Sequence, residues 1–272
     1  MSIFQAVVLG IIQGLTEFLP ISSSAHLVLV PYLLQWNLPP AQVFSFDVLV
    51  QMGTLLAVIV YFWKELLELV TGFIQGIFSG KPFTDPRSRL GWLLILATIP
   101  AGILGLFIKN TVEAMFHDPK ATAVFLIITA ILLVLGEKLG KKERDFDSIS
   151  WGDAIWIGMS QAISILPGIS RSGSTIVGGL GQGLKRPAAA RFSFLMSIPI
   201  MLAAGGLSIL DLLDMPGLID FLPMILIGFL VAAVVGYIAI RWFISYISHH
   251  SLIVFAWYCL ALGGLTLIVA YI

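Results

Sequence analysis

An apolar run over Ile3–Leu19 stops at Pro20 and three serines, then resumes only over Ala25–Leu34. That second piece makes about 15 Å of helix, half of a ~30 Å hydrocarbon core. The interruption recurs later as Trp151–Leu166, a Pro167-Gly168-Ile169-Ser170-Arg171-Ser172 break, then Ser174–Leu184. The two breaks are copies in one register. Gly10, Gln13, Ile21, Ser22 and Ser24 recur as Gly158, Gln161, Ile169, Ser170 and Ser172. The register holds without a gap to Pro39, Ala41 and Phe44-Ser45-Phe46, which recur as Pro187, Ala189 and Phe192-Ser193-Phe194. Matched interruptions in the two halves of a membrane protein point to a binding site at the repeat interface.

The solvent for this chain is lipid. Its 272 residues are 58% hydrophobic and 11% charged, against roughly 25% charged in a soluble domain. Mean hydropathy is +1.01. Zero formal net charge gives no argument for nucleic acid. The single Cys259 excludes an intrachain disulfide and a cysteine metal cluster. The apolar N-terminus lacks a basic n-region and reads as mature protein.

Six stretches are long and apolar enough to span: about Ala41–Phe62, Leu90–Ile108, Ala121–Leu135, Ala190–Leu212, Phe221–Phe243 and Leu252–Tyr271. Leu66–Phe78 reads as an interfacial helix and Ser79–Arg89 as a surface loop. The broken segments read as two re-entrant helix-loop-helix pairs, whose non-helical backbone survives in a membrane only if buried or facing a wet cavity. An odd number of spans separates them, so the second enters from the opposite face. The expected fold is an all-α polytopic membrane protein with an inverted-topology repeat, about residues 1–140 and 149–272, in a single domain. Lys64, Lys81, Arg87, Arg89, Lys138, Lys141, Lys142, Arg144, Lys185, Arg186 and Arg241 fall on one side, against Lys109 and Lys120. The first side is therefore cytoplasmic, with both termini outside.

Charged residues at membrane depth are functional suspects, and Glu17, His26 and Arg171 all fall at the breaks. A helix starts after each break, and its free N–H groups favour an anion. Arg171 adds a bidentate fork for phosphate oxygens. Serines in membrane helices commonly just bond backbone carbonyls; a whole cluster flanking Pro20 suggests more. Ser22, Ser23 and Ser24 lie beside two candidate bases, Glu17 and His26. Gln13 and Glu17, spaced i,i+4, share a helix face and both offer oxygens to Mg²⁺ or Ca²⁺. Ser170, Ser172, Gly173, Ser174 and Thr175 are the candidate anion cradle, which lacks the ending of a Walker A loop. A helix N-terminus alone would explain Asp47. Arg191 reads as a cytoplasmic anchor or headgroup contact, and His117, His249 and His250 fall in predicted loops. The copies differ where chemistry is expected: Glu17 aligns with Ile165, Ser23 with Arg171, His26 with Ser174 and Asp47 with Leu195.

At these residues the chain resembles the bacterial undecaprenyl pyrophosphate phosphatase family, associated with bacitracin resistance. Gln13-Gly-Leu-Thr-Glu17 matches its Glu/Gln-x-x-x-Glu signature. Pro167-Gly168-Ile-Ser170-Arg171-Ser172-Gly-Ser-Thr175 matches its Pro-Gly-x-Ser-Arg-Ser-x-x-Thr motif, and Ser22-Ser23-Ser24-Ala25-His26 carries its Ser-Ser-x-x-His element. The resemblance implies hydrolysis of undecaprenyl pyrophosphate to the monophosphate carrier, a lipid substrate, dependence on a divalent metal, and an outward-facing site in the inner membrane. It implies functional roles for Glu17, Ser22, Ser23, His26, Ser170, Arg171, Ser172 and Thr175. Position 13 is Gln, so a paired-carboxylate metal site becomes a carboxylate plus a carbonyl. The competing expectation is a transporter or flippase of a phosphate-bearing anion, since inverted repeats with broken helices also build transporters. Oligomeric state stays open.

Overall fold

A computed structural model describes residues 1–38, 40–116, 118–213 and 218–272, without the side chains of 40–45, 109, 110, 113 and 207–213. Pro39 and His117, and the side chains of Ala41, Phe44, Ser45 and Lys109, therefore lie outside the described residues. Those described form α-helices α1 (Ile3–Thr16), α2 (Ser23–Leu33), α3 (Pro40–Tyr61), α4 (Trp63–Phe78), α5 (Pro86–Met115), α6 (Pro119–Leu139), α7 (Trp151–Ile163), α8 (Arg171–Gly181), α9 (Arg186–Leu213), α10 (Leu218–His249) and α11 (Ile253–Tyr271). Five helical segments can cross a membrane, and six if the bent pair α3–α4 counts as one span. Large apolar side chains face outward along them, such as Leu106, Phe107, Val234 and Ile268. Water would not tolerate so continuous an apolar surface; lipid does. This is a polytopic membrane protein.

Both breaks fall where expected, but the helices end sooner and restart sooner. α1 stops at Thr16 and α7 at Ile163. Ser22 and Ser170 then act as N-caps, accepting from the Ala25 and Gly173 amides at 3.3 and 3.1 Å, which satisfies donors the new helix leaves free. Residues 171–173 thus belong to α8 and not to the break, and Ser174 and Thr175 lie in the helix as expected. The expected loop over 79–89 is also shorter. Asp85 accepts from the Arg87 and Ser88 amides, so α5 starts at Pro86, where its missing N–H costs nothing. His249 closes α10 instead of lying in a loop, and His250 follows it, stacked on Tyr246.

α3 and α4 meet at an 81° bend. Beyond it, α4 lies against α5 through Gly72 and Gly76 and presents Leu67, Val70 and Ile74 outward, as an interfacial helix would. The Arg191 guanidinium pairs with Glu65 at 2.8 Å and stacks 4.1 Å above the Phe146 ring, tying α9 to α4.

Helix packing pairs across the chain. α1 packs on α10 as α7 packs on α5; α3 packs on α10 as α9 packs on α5; α3 meets α9, and α6 meets α11. The matched glycines permit this. A Cβ on Gly10 would lie 2.8 Å from the Gly228 carbonyl oxygen, and one on Gly158 would press into the Ala97 backbone.

Candidate active site

The breaks cross one another. Ser172 Oγ donates to the Leu19 carbonyl at 2.9 Å, and the Gly168 amide donates to Ser24 Oγ at 3.3 Å. Each helix that follows a break is thus tied to the other break. α6 braces the second, where Thr129 Oγ1 donates to the Gly168 carbonyl and accepts from the Ser170 amide, both at 3.0 Å. α11 reaches the first through Cys259, whose Sγ lies 3.8 Å from the Pro20 carbonyl. Gly168 has φ +107°, and a Cβ there would lie 2.7 Å from that of Phe125, so this position needs glycine. Ser22 sits at φ 65°, a sparsely populated conformation for a non-glycine residue that clusters at functional sites.

Glu17 is the hub. It is buried just past the end of α1, 4% exposed. Its Oε1 accepts from Arg171 Nη2 at 2.8 Å. Its Oε2 accepts from Ser23 Oγ at 2.7 Å and from Gln13 Nε2 at 2.9 Å. The Glu17 carboxylate thus touches both a hydroxyl from the same break and a guanidinium from the other. Arg171 keeps donors in reserve: its Nε is buried without a partner, and Nη1 makes only a 3.5 Å contact to the Ser193 carbonyl.

These groups line a cavity of about 310 Å³, within the range of ligand pockets. Gln13, Glu17, Ser22, Ser23, Ser24, Ser170 and Arg171 are on its wall, so the first turns of both α2 and α8 open onto it. His26 is not on the wall. Its ring bonds the Ser22 carbonyl and the Tyr258 hydroxyl, both at 2.7 Å, and it supports the strained turn from behind. Ser172, Gly173, Ser174 and Thr175 are likewise buried off the wall. Their hydroxyls bond backbone carbonyls, and Thr175 also meets Ser193 Oγ at 2.6 Å. The sequence-predicted site therefore divides into a lining set and a supporting set.

Asp47 and Gln161 line the cavity but carried no functional role from sequence. Asp47 lies well inside α3, 7% exposed, with both carboxylate oxygens unpartnered, so a helix N-terminus does not account for it. Gln161, the repeat mate of Gln13, is 1% exposed with its amide unpartnered. Its place in the repeat was the available signal. Among the described residues, no group of three or more His, Cys, Asp and Glu is arranged to hold a metal.

The cavity continues into an apolar groove of about 790 Å³ between α3, α5 and α9, lined by residues such as Ile95, Ile99, Ile103, Pro199 and Ala203. Val48, Gln51, Ala101, Gly105, Ile200 and Ala204 line both spaces. A polar chamber with a greasy exit suits an amphiphile with a charged head.

The chain matches the family described as "Bacitracin resistance protein BacA" over residues 6–265. It belongs to that family. Among its relatives in the family are proteins named undecaprenyl-diphosphatase. The one from Chlorobium phaeobacteroides (strain BS1) is 43% identical, over 97% of this chain and 95% of that protein. The one from Thermomicrobium roseum is 38% identical, over 99% and 98%. The one from Rubrobacter xylanophilus is 41% identical, over 97% of each.

Proposed function

We propose that this chain hydrolyses undecaprenyl diphosphate to undecaprenyl phosphate and inorganic phosphate, recycling the lipid carrier of cell-wall synthesis. The observation that carries the reading is the Ser23–Glu17–Arg171 contact at the head of an apolar groove. The relatives' name, undecaprenyl-diphosphatase, supports it.

Ser23 Oγ attacks the terminal phosphorus, and its proton passes to Glu17 Oε2, already 2.7 Å away. The P–O bond to the bridging oxygen breaks, and the monophosphate lipid leaves with the proton that Glu17 held. Water then attacks the phosphoserine phosphorus, Glu17 takes the water proton and passes it to Ser23 Oγ as the P–Oγ bond breaks, and free phosphate departs. Arg171 stabilises the charge developing on the phosphoryl oxygens, helped by the N-termini of α2 and α8. Glu17 is the base rather than His26, which touches no serine hydroxyl. The polyprenyl tail lies in the groove between α3, α5 and α9.

A divalent cation, Mg²⁺ or Ca²⁺, belongs to this reading. Gln13 Oε1 fits one, being buried and unpartnered; both Glu17 oxygens are already engaged. When bound, the cation supplies Lewis-acid neutralisation of diphosphate charge. The two halves form an inverted repeat with re-entrant pairs α1–α2 and α7–α8, a reading supported by the paired helix contacts and the reciprocal Ser24 and Ser172 bonds. The protein sits in the inner membrane with its termini outward and its site open to the outer face, in line with the basic-residue bias.

The test is phosphate release from undecaprenyl diphosphate by purified protein in detergent, where micelles have no two sides and transport produces no signal. Wild type releases phosphate with a divalent cation present, and Ser23→Ala does not. Full activity in Ser23→Ala would overturn the nucleophile, and no release by wild type would overturn the hydrolase.

A further inference from the structure

Among the described residues, four side chains on the cavity wall have buried polar atoms with no partner: Arg171, already described, and three others. Gln13, Asp47 and Gln161 come from α1, α3 and α7 and are 1%, 7% and 1% exposed. Gln13 Oε1, both Asp47 oxygens and both Gln161 amide atoms make no hydrogen bond. Buried polar groups are nearly always satisfied, and an uncompensated buried carboxylate costs several kcal/mol. Such a concentration in one chamber calls for a ligand.

Its chemistry follows from the atoms. The Glu17 carboxylate only accepts, so the Gln13 amide nitrogen must face it, 2.9 Å from Oε2. The Gln13 carbonyl is thereby turned away, with its lone pairs unused. An ionised Asp47 likewise only accepts. The Gln161 amide has no bond fixing it and can present its oxygen. An ionised Asp47 would repel phosphoryl oxygens, which Arg171 receives instead, so the group that Asp47 itself faces is a cation. A hard divalent cation takes this kind of set, carboxylate and carbonyl oxygens with water completing the shell.

We infer that Asp47, Gln13 and Gln161 bind a divalent cation of the Mg²⁺ or Ca²⁺ class, with Asp47 as its anionic ligand. The inference rests on the diphosphatase reading and extends it. Position 13 carries no carboxylate in this chain, and Asp47 supplies the missing one from another helix. The two glutamines are repeat mates, so both halves contribute a carbonyl. Asp47 faces the same chamber without a counterpart, its repeat mate being Leu195.

The experiment titrates purified full-length protein in detergent with Mn²⁺, reading free Mn²⁺ by electron paramagnetic resonance, alongside phosphate release. Wild type binds saturably. Asp47→Asn keeps the shape and removes the charge, and Gln161→Leu removes the carbonyl. Each raises the Mn²⁺ Kd at least about tenfold. Mn²⁺ raises the melting temperature of wild type but not of Asp47→Asn. Gln161→Glu, a second test should Asp47→Asn fold poorly, tightens Mn²⁺ binding; weaker binding there would count against the site. Unchanged Kd in Asp47→Asn and Gln161→Leu overturns the inference, as does a wild type that releases phosphate yet binds no Mn²⁺. The diphosphatase reading survives both results. A wild type that binds Mn²⁺ through these residues but releases no phosphate supports the site and overturns the diphosphatase reading.

Discussion

Glu17→Gln separates charge from shape at the hub. The amide can keep its oxygen toward Arg171 Nη2, where the wild-type contact is 2.8 Å. Its nitrogen then replaces the oxygen that accepts from Ser23 Oγ at 2.7 Å and Gln13 Nε2 at 2.9 Å. Ser23 can turn its hydroxyl to accept, but no group is left to take its proton. General-base assistance is worth about 10²–10⁴ in rate, or about 3–5 kcal/mol of barrier. We expect kcat for phosphate release to fall by that factor in detergent, with KM moving far less, because Arg171 is retained. Because base and nucleophile act as one unit, the double variant Glu17→Gln/Ser23→Ala falls no further than the worse single variant. A folded Glu17→Gln enzyme with kcat within tenfold of wild type would refute the pairing, and so would multiplicative losses in the double variant.

Gly168→Ala forces a side chain onto a φ of +107° and against Phe125, so it should cost at least about 1–3 kcal/mol and lower the melting temperature sharply. Ala204→Phe blocks the join between chamber and groove. It should raise KM for the undecaprenyl substrate while sparing a short-chain prenyl diphosphate, and equal effects on both would remove the groove from the reading. Burial pushes the Asp153 carboxyl up, but Arg144, bonded at 2.6 and 3.1 Å, and Ser150 more than offset this and hold it below its ordinary value. A carboxyl whose folded pKa is depressed stabilises above its unfolded pKa of about 3.9, and that contribution is lost as pH falls through the lower folded value. Melting curves should show this acid-sensitive step in wild type and a smaller one in Arg144→Met.

The breaks, the spans and the acid-hydroxyl-guanidinium set were legible because each is a local conflict with lipid: proline, serine or charge inside apolar sequence. Helix starts were less legible. Ser170 serves equally as a loop residue or an N-cap, and its bond from the Gly173 amide starts α8 early enough to include Ser172 and Gly173, which lie off the cavity wall. Asp47 was visible as a residue but not as a site. On α3 an acid one position earlier would lie in the apolar core at Phe46, and periodicity does not say which face opens on a chamber built from α1, α7 and α8. The break between α3 and α4 was legible, since Lys64 and Glu65 end the apolar run, but its 81° angle was not.

The repeat divides its work between matched and unmatched positions. Gly10 and Gly158 allow close helix approach, and Ser24 and Ser172 tie each helix to the opposite break. Close helix approach and a tie to the opposite break are needed in both copies alike, so both keep the same residue. Glu17 against Ile165, and Ser23 against Arg171, line the chamber but differ. A base, a nucleophile and a cation at one phosphoryl group cannot be supplied by two identical half-sites. Ser22 and Ser170 are matched and on the wall because they cap the new helices; Gln13 and Gln161 are matched and on the wall without such a role. Packing does not explain their identity, because each leaves a buried amide oxygen unpartnered. A ligand that accepts equivalent carbonyls from both halves does explain it, and a cation approached by both glutamines is such a ligand.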